Sequence, residues 1–261
     1  MERTPWAETQ VAPQPAARNA PRAGSMDRAA DFVVRHLVGL MVLGLLVVTL
    51  LPFAAPLFMH WGWERPATLL YSAYGYTCHQ LPQRSWFLFG PRLTYTVDEI
   101  QAVWPAPASQ LRGFVGTPQM GWKVAWSDRM LSWYTMTALW FALYWLLRRL
   151  GVRSRPLRWS LLALALAPIA LDGATHMLSD VMAGVSGGGF RDTNEWLRVL
   201  TANVWPAFYG GDHQGTFNWW SRLFTGLLGA WAITAAFYPR LELMLAADAR
   251  RTHDATADFP N

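Results

Sequence analysis

Residues 37–59 read LVGLMVLGLLVVTLLPFAAPLFM, and this stretch decides the fold. No residue between positions 36 and 63 carries a fixed charge, and about 20 consecutive apolar residues suffice to cross a bilayer as a helix. A secretory signal has an apolar region of only ~7 to 15 residues, so the longer run predicts a retained membrane anchor.

Composition supports a membrane class of protein. Of the 261 residues 52% are hydrophobic and 15% are charged, whereas soluble domains carry roughly 25% charged residues. The 22 basic residues include a single lysine, Lys123, and the arginines flank apolar segments. That distribution argues against nucleic acid as a partner and favours the lipid bilayer.

Three further apolar segments predict spans at 130–147, 157–177 and 219–238, separated by outer loops at 60–129 and 178–218. In the last span Arg222 is expected to reach the interface with its long stem. Gly226 and Ala230 form a pair of small residues that would let another helix approach closely.

The loop between the second and third spans fixes the predicted orientation. It contains no acid and carries five arginines, namely Arg148, Arg149, Arg153, Arg155 and Arg158. Such loops lie in the cytoplasm. Four spans then place both termini inside, with a disordered cytoplasmic tail at 1–31, a membrane domain at 32–240 and a second cytoplasmic tail at 241–261. The predicted location is the inner or plasma membrane.

The predicted fold class is therefore an all-α polytopic helix bundle of about four transmembrane helices with short interfacial or outer-loop helices. Residues 66–83 lack fixed charge but are too polar for a lipid-facing span, so they predict an interfacial or half-inserted helix; whether they enter the membrane stays open. Outer helices are expected to begin at Thr96, where Glu99 completes a capping box, and at Asp192, with Glu195 three residues later.

The third span contains the main chemical anomaly. Asp172 lies roughly 22 Å along the helix from its start near Leu157, inside a ~30 Å hydrocarbon core. A carboxylate there should face protein or water. His176 is four residues on and shares its helical face, so the pair could bind a metal, act as base and orienting acid, or hydrogen-bond between helices.

Other candidates lie near the outer side: Cys78, His79, Asp128 and Arg129. Arg129 could pair with Asp172 or Asp180 in a purely structural network, or it could clamp a phosphate or carboxylate of a lipid-linked substrate. The common motifs of nucleotide hydrolases, serine hydrolases, metalloproteases and redox proteins are absent.

The segment CHQLPQRSWFLFG, residues 78–90, resembles an uncharacterised family of bacterial and archaeal polytopic membrane proteins with the signature CHQxPxRSxFxxG. The family's CxRCxGxY element corresponds here to residues 127–134, which keep Arg129 and Tyr134 but replace both cysteines by Ser127 and Met130. Its DG element matches Asp172 and Gly173. The resemblance implies a membrane fold and an outer-side site without naming a reaction.

Loss of the two cysteines argues against a thiolate-rich metal site. A harder site of His79, Asp172, His176 and Asp128, with Cys78 optional, would suit Zn or Mn. Candidates for catalysis are Asp172, His176, His79 and Arg129, although the sequence does not decide whether the protein is an enzyme. We interpret it as an integral membrane protein with a candidate outer-side polar or metal-binding site. The alternative is a non-catalytic subunit or scaffold of an envelope membrane complex, either a homo-oligomer or bound to a membrane partner.

Overall fold

The computed structural model describes residues 25–185 and 187–257. The chain divides into two compact units, residues 1–40 and 41–261; the first contributes helical residues from position 25 onward. The α-helices of the described residues, in chain order, are α1 (Ser25–His60), α2 (Glu64–Gly75), α3 (Val97–Val103), α4 (Asp128–Met130), α5 (Met136–Arg149), α6 (Trp159–Ala183), α7 (Phe190–Thr193), α8 (Glu195–Leu200), α9 (Pro206–Tyr209) and α10 (Phe217–Ala257).

Within residues 25–185 and 187–257, three helical segments are long and apolar enough to cross a membrane: Gly39–His60, Asp128–Arg149 and Trp159–Ala183. They confirm apolar helices at the predicted spans 37–59, 130–147 and 157–177. The fourth predicted span, 219–238, lies within α10, which does not reach the same apolarity because Ser221 and Arg222 at one end and Pro239 and Arg240 at the other limit its apolar part. A four-span arrangement therefore remains a proposal.

The chain is mostly helical, but the prediction of an all-α fold was wrong in the loop predicted at 60–129. Residues 85–127 contain three strands, β1 (Ser85–Leu88), β2 (Gly116–Thr117) and β3 (Gly121–Ser127), which form an antiparallel sheet in the order β1-β3-β2. The sheet covers a small apolar core that includes Phe87, Ile100 and Phe114. Burial of these side chains gives the loop a folded core of its own.

The start of α10 packs closely against the helical segment that begins at Asp128. A Cβ atom added to Gly226 would lie 2.1 Å from Ser132 Oγ, so the predicted close approach at Gly226 exists. Ser132 sits in a π-helical stretch, Leu131–Thr135, between α4 and α5. π-Helical stretches are rare, and those that are found frequently lie at functional sites.

Local predictions had mixed outcomes. The capping box of Thr96 and Glu99 is present at the start of α3. The expected helix start at Asp192 was wrong: α8 begins at Glu195, and the Asp192 carboxylate accepts a hydrogen bond from the Gly189 amide instead. Within 66–83 only the residues of α2, up to Gly75, are α-helical, and residues 78–81 form irregular chain.

Both predicted tails overlap with helix. Helix α1 begins at Ser25, inside the segment 1–31, and α10 continues to Ala257, beyond position 240. Residues 1–24 and 258–261 lie outside the described part of the chain. The cytoplasmic placement of both ends remains a prediction.

Candidate functional site

Ten ionisable side chains meet where the loops join α4, α6 and α10, and we call them the ionic cluster. Its members are Arg84, Arg129, Arg191, Arg222, Asp128, Asp172, Asp180, Asp192, Asp212 and His176. Most are buried, Arg222 with only 1% of its surface exposed. Buried charges of this kind persist only when paired and hydrogen-bonded.

Asp172 holds one half of the ionic cluster together. Its two carboxylate oxygens accept hydrogen bonds from Arg129 Nη2 and Arg191 Nη2, each at 2.7 Å, and Ser221 Oγ donates a third, also at 2.7 Å. The predicted pairing of Arg129 with Asp172 is thus present. Two guanidinium groups share one carboxylate, so this half of the cluster has an excess of positive charge.

Asp212 holds the other half together. Arg84 Nε donates to Asp212 Oδ2 at 2.6 Å, and Arg222 Nη1 donates to Oδ1 at 2.6 Å. Burial alone would raise the pKa of Asp212, but the charges of Arg84 and Arg222 outweigh it and hold that pKa well below its ordinary value. Asp180 and Asp128 complete this half by pairing with Arg84 and Arg222 respectively. Three carboxylates therefore face two guanidinium groups.

Asp192 lies at the edge of this second half, with Oδ1 3.8 Å from Arg84 Nη2. Burial, and then the neighbouring negative charge of Asp212, raise the pKa of Asp192 above its ordinary value. The Asp192 carboxylate also caps a loop turn, because it accepts a hydrogen bond from the Gly189 amide.

The local sequence explains how the side chains reach one place. The helical spacing puts Asp172 and His176 on one face of α6, as predicted, and Ser179 and Asp180 continue that face. Arg84 closes a 3₁₀ turn, Pro82–Arg84, directly before β1, and Asp128 and Arg129 open α4 directly after β3. Because β1 and β3 pair with Ser85 opposite Ser127, the sheet places Arg84 beside Asp128 and Arg129.

His176 lies at the centre of the ionic cluster with 2% of its surface exposed. Its Nδ1 atom is 2.9 Å from the Asp172 carbonyl oxygen and 3.1 Å from Arg129 Nη2. Its Nε2 atom is 3.4 Å from Arg222 Nη1 and 3.7 Å from Asp212 Oδ1. Both ring nitrogens thus face protein groups, and this arrangement suits a side chain that joins the two halves of the cluster.

A cavity of about 500 Å³ lies against the ionic cluster. Its polar wall comprises Cys78, His79, Gln80, Arg84, Ser127, Asp128, Arg129, His176, Asp180 and Arg222. Its apolar wall comprises Leu81, Met130, Met177, Val181 and Val185. This volume is within the range of small-molecule binding sites, which are mostly apolar with a few polar groups.

Arg129 is the cation that faces this cavity with hydrogen-bonding capacity to spare. Its Nη2 atom donates to Asp172 and lies 3.1 Å from His176 Nδ1, whereas its Nη1 atom has no acceptor among the described residues. Its Nε atom is also unpaired but is buried. Arg84 and Arg222 also line the cavity, but each commits all three nitrogens to carboxylate or carbonyl oxygens. A ligand that accepts hydrogen bonds would therefore meet Arg129 first.

The structure brings the predicted site residues other than Asp172 to one cavity, with Asp172 behind Arg129, but does not arrange them for a metal. His79 is exposed at the cavity, whereas Cys78 is buried with Sγ 3.4 Å from Ser127 Oγ. Asp128 and Asp172 are bound by arginines. Among the described side chains no three of the types His, Cys, Asp or Glu are placed to share an ion. The predicted Zn or Mn set thus has no geometric support.

Sequence reasoning underrated the partners of Asp172. Arg222 was expected to extend toward the interface, and this interpretation was wrong, since its guanidinium is buried between Asp128 and Asp212. Arg84, Arg191 and Asp212 belong to the cluster as well. The sequence signal that could have revealed them is the number of arginines and aspartates near the span ends, because each of these charges is costly to bury without a partner.

Comparison with known proteins gives one distant relative. Over 170 residues the chain is 26% identical to an uncharacterized protein of the archaeon Methanocaldococcus jannaschii, and the aligned region covers 63% of this chain and 82% of the relative. No protein-family model and no solved structure matches the chain.

Proposed function

We propose that this chain is a polytopic membrane protein of the inner or plasma membrane, with both termini in the cytoplasm, that binds an anionic ligand at its outer side. The unpaired Nη1 donors of Arg129, a residue that lines the cavity, are the observation that carries the proposal. Support for the membrane location comes from the three apolar helices, and the resemblance of residues 78–90 to a membrane family fits it. The proposal concerns binding and assigns no reaction.

Charge distribution favours an anion over a cation. The half of the ionic cluster around Asp172 has two guanidinium groups for one carboxylate, and Arg129 is its cavity-facing member. Asp128 and Asp180 also line the cavity, but each is bound by an arginine at 2.6 to 2.9 Å. An arriving phosphate or carboxylate would add charge-assisted hydrogen bonds to Arg129 without displacing an existing pair.

The test is to identify what the protein retains when purified gently from its native membrane. Small molecules and lipids would be extracted from wild type, Arg129→Gln and Arg65→Gln and identified by mass spectrometry. Arg65 is a matched control because it is exposed and lies outside the cavity. We expect an anionic compound in wild type and Arg65→Gln that is lost in Arg129→Gln. A folded Arg129→Gln variant that retains the same compounds would refute the proposal.

A second candidate, a subunit or scaffold of a larger membrane complex, is favoured by one observation. The outer segment from α8 to α9 exposes five large apolar side chains, namely Trp196, Val199, Leu200, Val204 and Trp205. Apolar surface of this kind marks contact with a protein or a membrane. Co-purification of a stoichiometric partner, lost on Leu200→Glu, would favour this candidate, whereas a partner-free particle from native membranes would exclude it.

A further inference from the structure

Residues 195–208, which contain α8 and α9, form a short hairpin that is closed at its base, and we call it the α8–α9 hairpin. Asn194 precedes it and has no exposed surface. The Asn194 Nδ2 atom donates to the Tyr209 carbonyl oxygen at 2.8 Å and to Asn218 Oδ1 at 3.1 Å. Because Asn218 belongs to the first turn of α10, both ends of the hairpin are fastened to the start of that helix.

Charged and apolar side chains of the α8–α9 hairpin lie on different faces. Glu195 and Arg198 are its only residues of fixed charge, and they form an ion pair at 3.0 Å. The helical spacing groups residues 196, 199 and 200 on another face of α8. The large apolar side chains of the hairpin expose 50 to 75% of their surfaces, namely Trp196, Val199, Leu200, Val204 and Trp205. A charged face opposite an aromatic and aliphatic face is typical of helices that lie in the membrane interface.

The level of the hairpin relative to a bilayer follows from its contacts with α6. This helix begins at Trp159, directly after the arginine-rich loop, and Ser179 lies about 30 Å further along it, which is the thickness of a hydrocarbon core. The chain returns to this level after α6, because the Arg191 amide donates to Ser179 Oγ at 3.1 Å. Gly189 also approaches Ser179 so closely that a Cβ atom there would overlap with Oγ. The hairpin begins four residues after Arg191, so its base lies at the boundary between hydrocarbon and head groups.

From this position we infer that the α8–α9 hairpin lies in the head-group region of the leaflet at the Ala183 end of α6, with Trp196, Leu200 and Trp205 in contact with lipid. Tryptophan is enriched at this depth because its ring is apolar and its N–H group is polar. A lipid surface is favoured over a protein partner because the bilayer is already present at the level of Ser179. The inference rests on the proposed membrane location, and it goes beyond the anion site because it concerns a different surface.

The test is the accessibility of nitroxide labels on the full-length protein, reconstituted in phosphatidylcholine and phosphatidylglycerol vesicles. Dissolved oxygen concentrates in lipid and a nickel chelate stays in water, so the ratio of the two accessibilities reports which medium surrounds a label. Single cysteines would be placed in a Cys78→Ala background by Leu200→Cys, Glu195→Cys, Leu164→Cys and Ser109→Cys. Val204→Cys is a second apolar hairpin position in case Leu200→Cys fails to fold.

The other three positions are matched controls. Glu195 is on the charged face of the same short helix, Leu164 is 70% exposed on α6 well before Ser179, and Ser109 is exposed in the segment between α3 and β2. We expect the oxygen-to-nickel ratio to be high at 164 and 200 and low at 109, with 195 below 200. A difference between 195 and 200 would show that one face of α8 meets lipid and the other meets water or head groups.

The remaining outcomes overturn the inference in distinguishable ways. A low ratio at 200 with a high ratio at 164 would put the hairpin in water and leave the proposed membrane location intact. If the label at 200 then became protected from both reagents in native membranes, a protein partner would be its cover. Protection at 200 in vesicles with spin–spin broadening would mean a second copy of this chain. A low ratio at 164 as well as at 200 would remove the membrane location and this inference together.

Discussion

Asp172 is the single carboxylate on which two arginines of the ionic cluster depend. Asp172→Asn keeps the shape of the side chain but leaves Arg129 and Arg191 without a negative partner. Breaking a buried ion pair from one side costs about 3 kcal/mol or more, which corresponds to a melting temperature roughly 6 to 12 °C lower for a domain of this size. The measurement is a thermal melt of the detergent-purified protein.

The control for that melt is Asp98→Asn, which removes an equal charge from an exposed position in the first turn of α3. It should change the melting temperature by no more than a degree or two, since surface substitutions are nearly neutral. If Asp172→Asn melts like Asp98→Asn, the two guanidinium groups do not need that carboxylate, and the pairing described above is not what stabilises the protein.

Lys123 is buried in β3, with 0% of its surface exposed. Its Nζ atom donates to the carbonyl oxygens of Gln80, at 2.9 Å, and Arg112, at 2.7 Å, so it connects three parts of the segment between α1 and α4. Burial lowers the pKa of Lys123 to about 7, because the protonated amine loses its hydration inside the protein and the neutral form is favoured.

That lowered pKa gives the stability of the protein a defined pH dependence. The folded-state pKa lies below the unfolded-state value, so unfolded chains bind more protons between about pH 7 and pH 10 and stability rises with pH across this window. Below pH 7 the full cost of protonating the buried amine is present. We expect the melting temperature of wild type to rise relative to that of Lys123→Met between pH 7 and pH 10. Parallel curves for the two proteins would contradict the depressed pKa.

At the scale of elements, the contact between α10 and the π-helical stretch depends on the absence of a side chain. Gly226→Ala would place a methyl group 2.1 Å from Ser132 Oγ and 3.1 Å from the Ser132 backbone carbon. The Ser132 hydroxyl lies 3.0 Å from both the Arg129 and the Arg222 carbonyl oxygens and shares its one proton between them, so its movement would disturb both contacts. Forced overpacking costs about 1 to 3 kcal/mol.

Gly44→Ala supplies the comparison for Gly226→Ala in a thermal melt. Gly44 is also helical, but a Cβ atom added there meets no atom within 4 Å. Alanine is the better helix former by about 1 kcal/mol, so Gly44→Ala should be neutral or stabilising while Gly226→Ala destabilises. Equal effects of the two substitutions would show that the close approach at Gly226 is not tight in solution.

The elements differ in how far their sequence could reveal them. The helix at residues 37–59 is predictable because nearly every position is apolar and the run is long enough to cross a bilayer. The sheet of residues 85–127 is not, since its core residues, such as Phe87 and Phe114, come from short segments with no clear alternation. The pairing of Arg129 with Asp172 was foreseeable as a way to satisfy a buried carboxylate, whereas the positions of Arg84 and Asp212 depend on the paired strands and on the loop before α10.

At the scale of the whole molecule, the orientation across the membrane can be tested with its one cysteine removed. In a Cys78→Ala background we would place single cysteines at exposed positions by Ser109→Cys, Ala207→Cys, Ser154→Cys and Ala247→Cys. The first two lie in the proposed outer loops, the third in the arginine-rich loop and the fourth near the end of α10. A membrane-impermeant maleimide applied to intact cells or spheroplasts reports which of them face outward.

The arginine-rich loop should hold Ser154→Cys inside, because basic residues near span ends are retained in the cytoplasm. We therefore expect labelling of Ser109→Cys and Ala207→Cys in intact cells, and labelling of Ser154→Cys and Ala247→Cys only after permeabilisation. Labelling at position 247 decides whether the fourth span exists. If 247 is protected while 207 is labelled, α10 crosses the membrane despite Arg222. The charge of Arg222 is compatible with such a span because Asp128 and Asp212 pair with it inside the protein. Labelling at both positions from outside would leave three spans, and labelling at 154 from outside would invert the orientation and put the cavity on the cytoplasmic side.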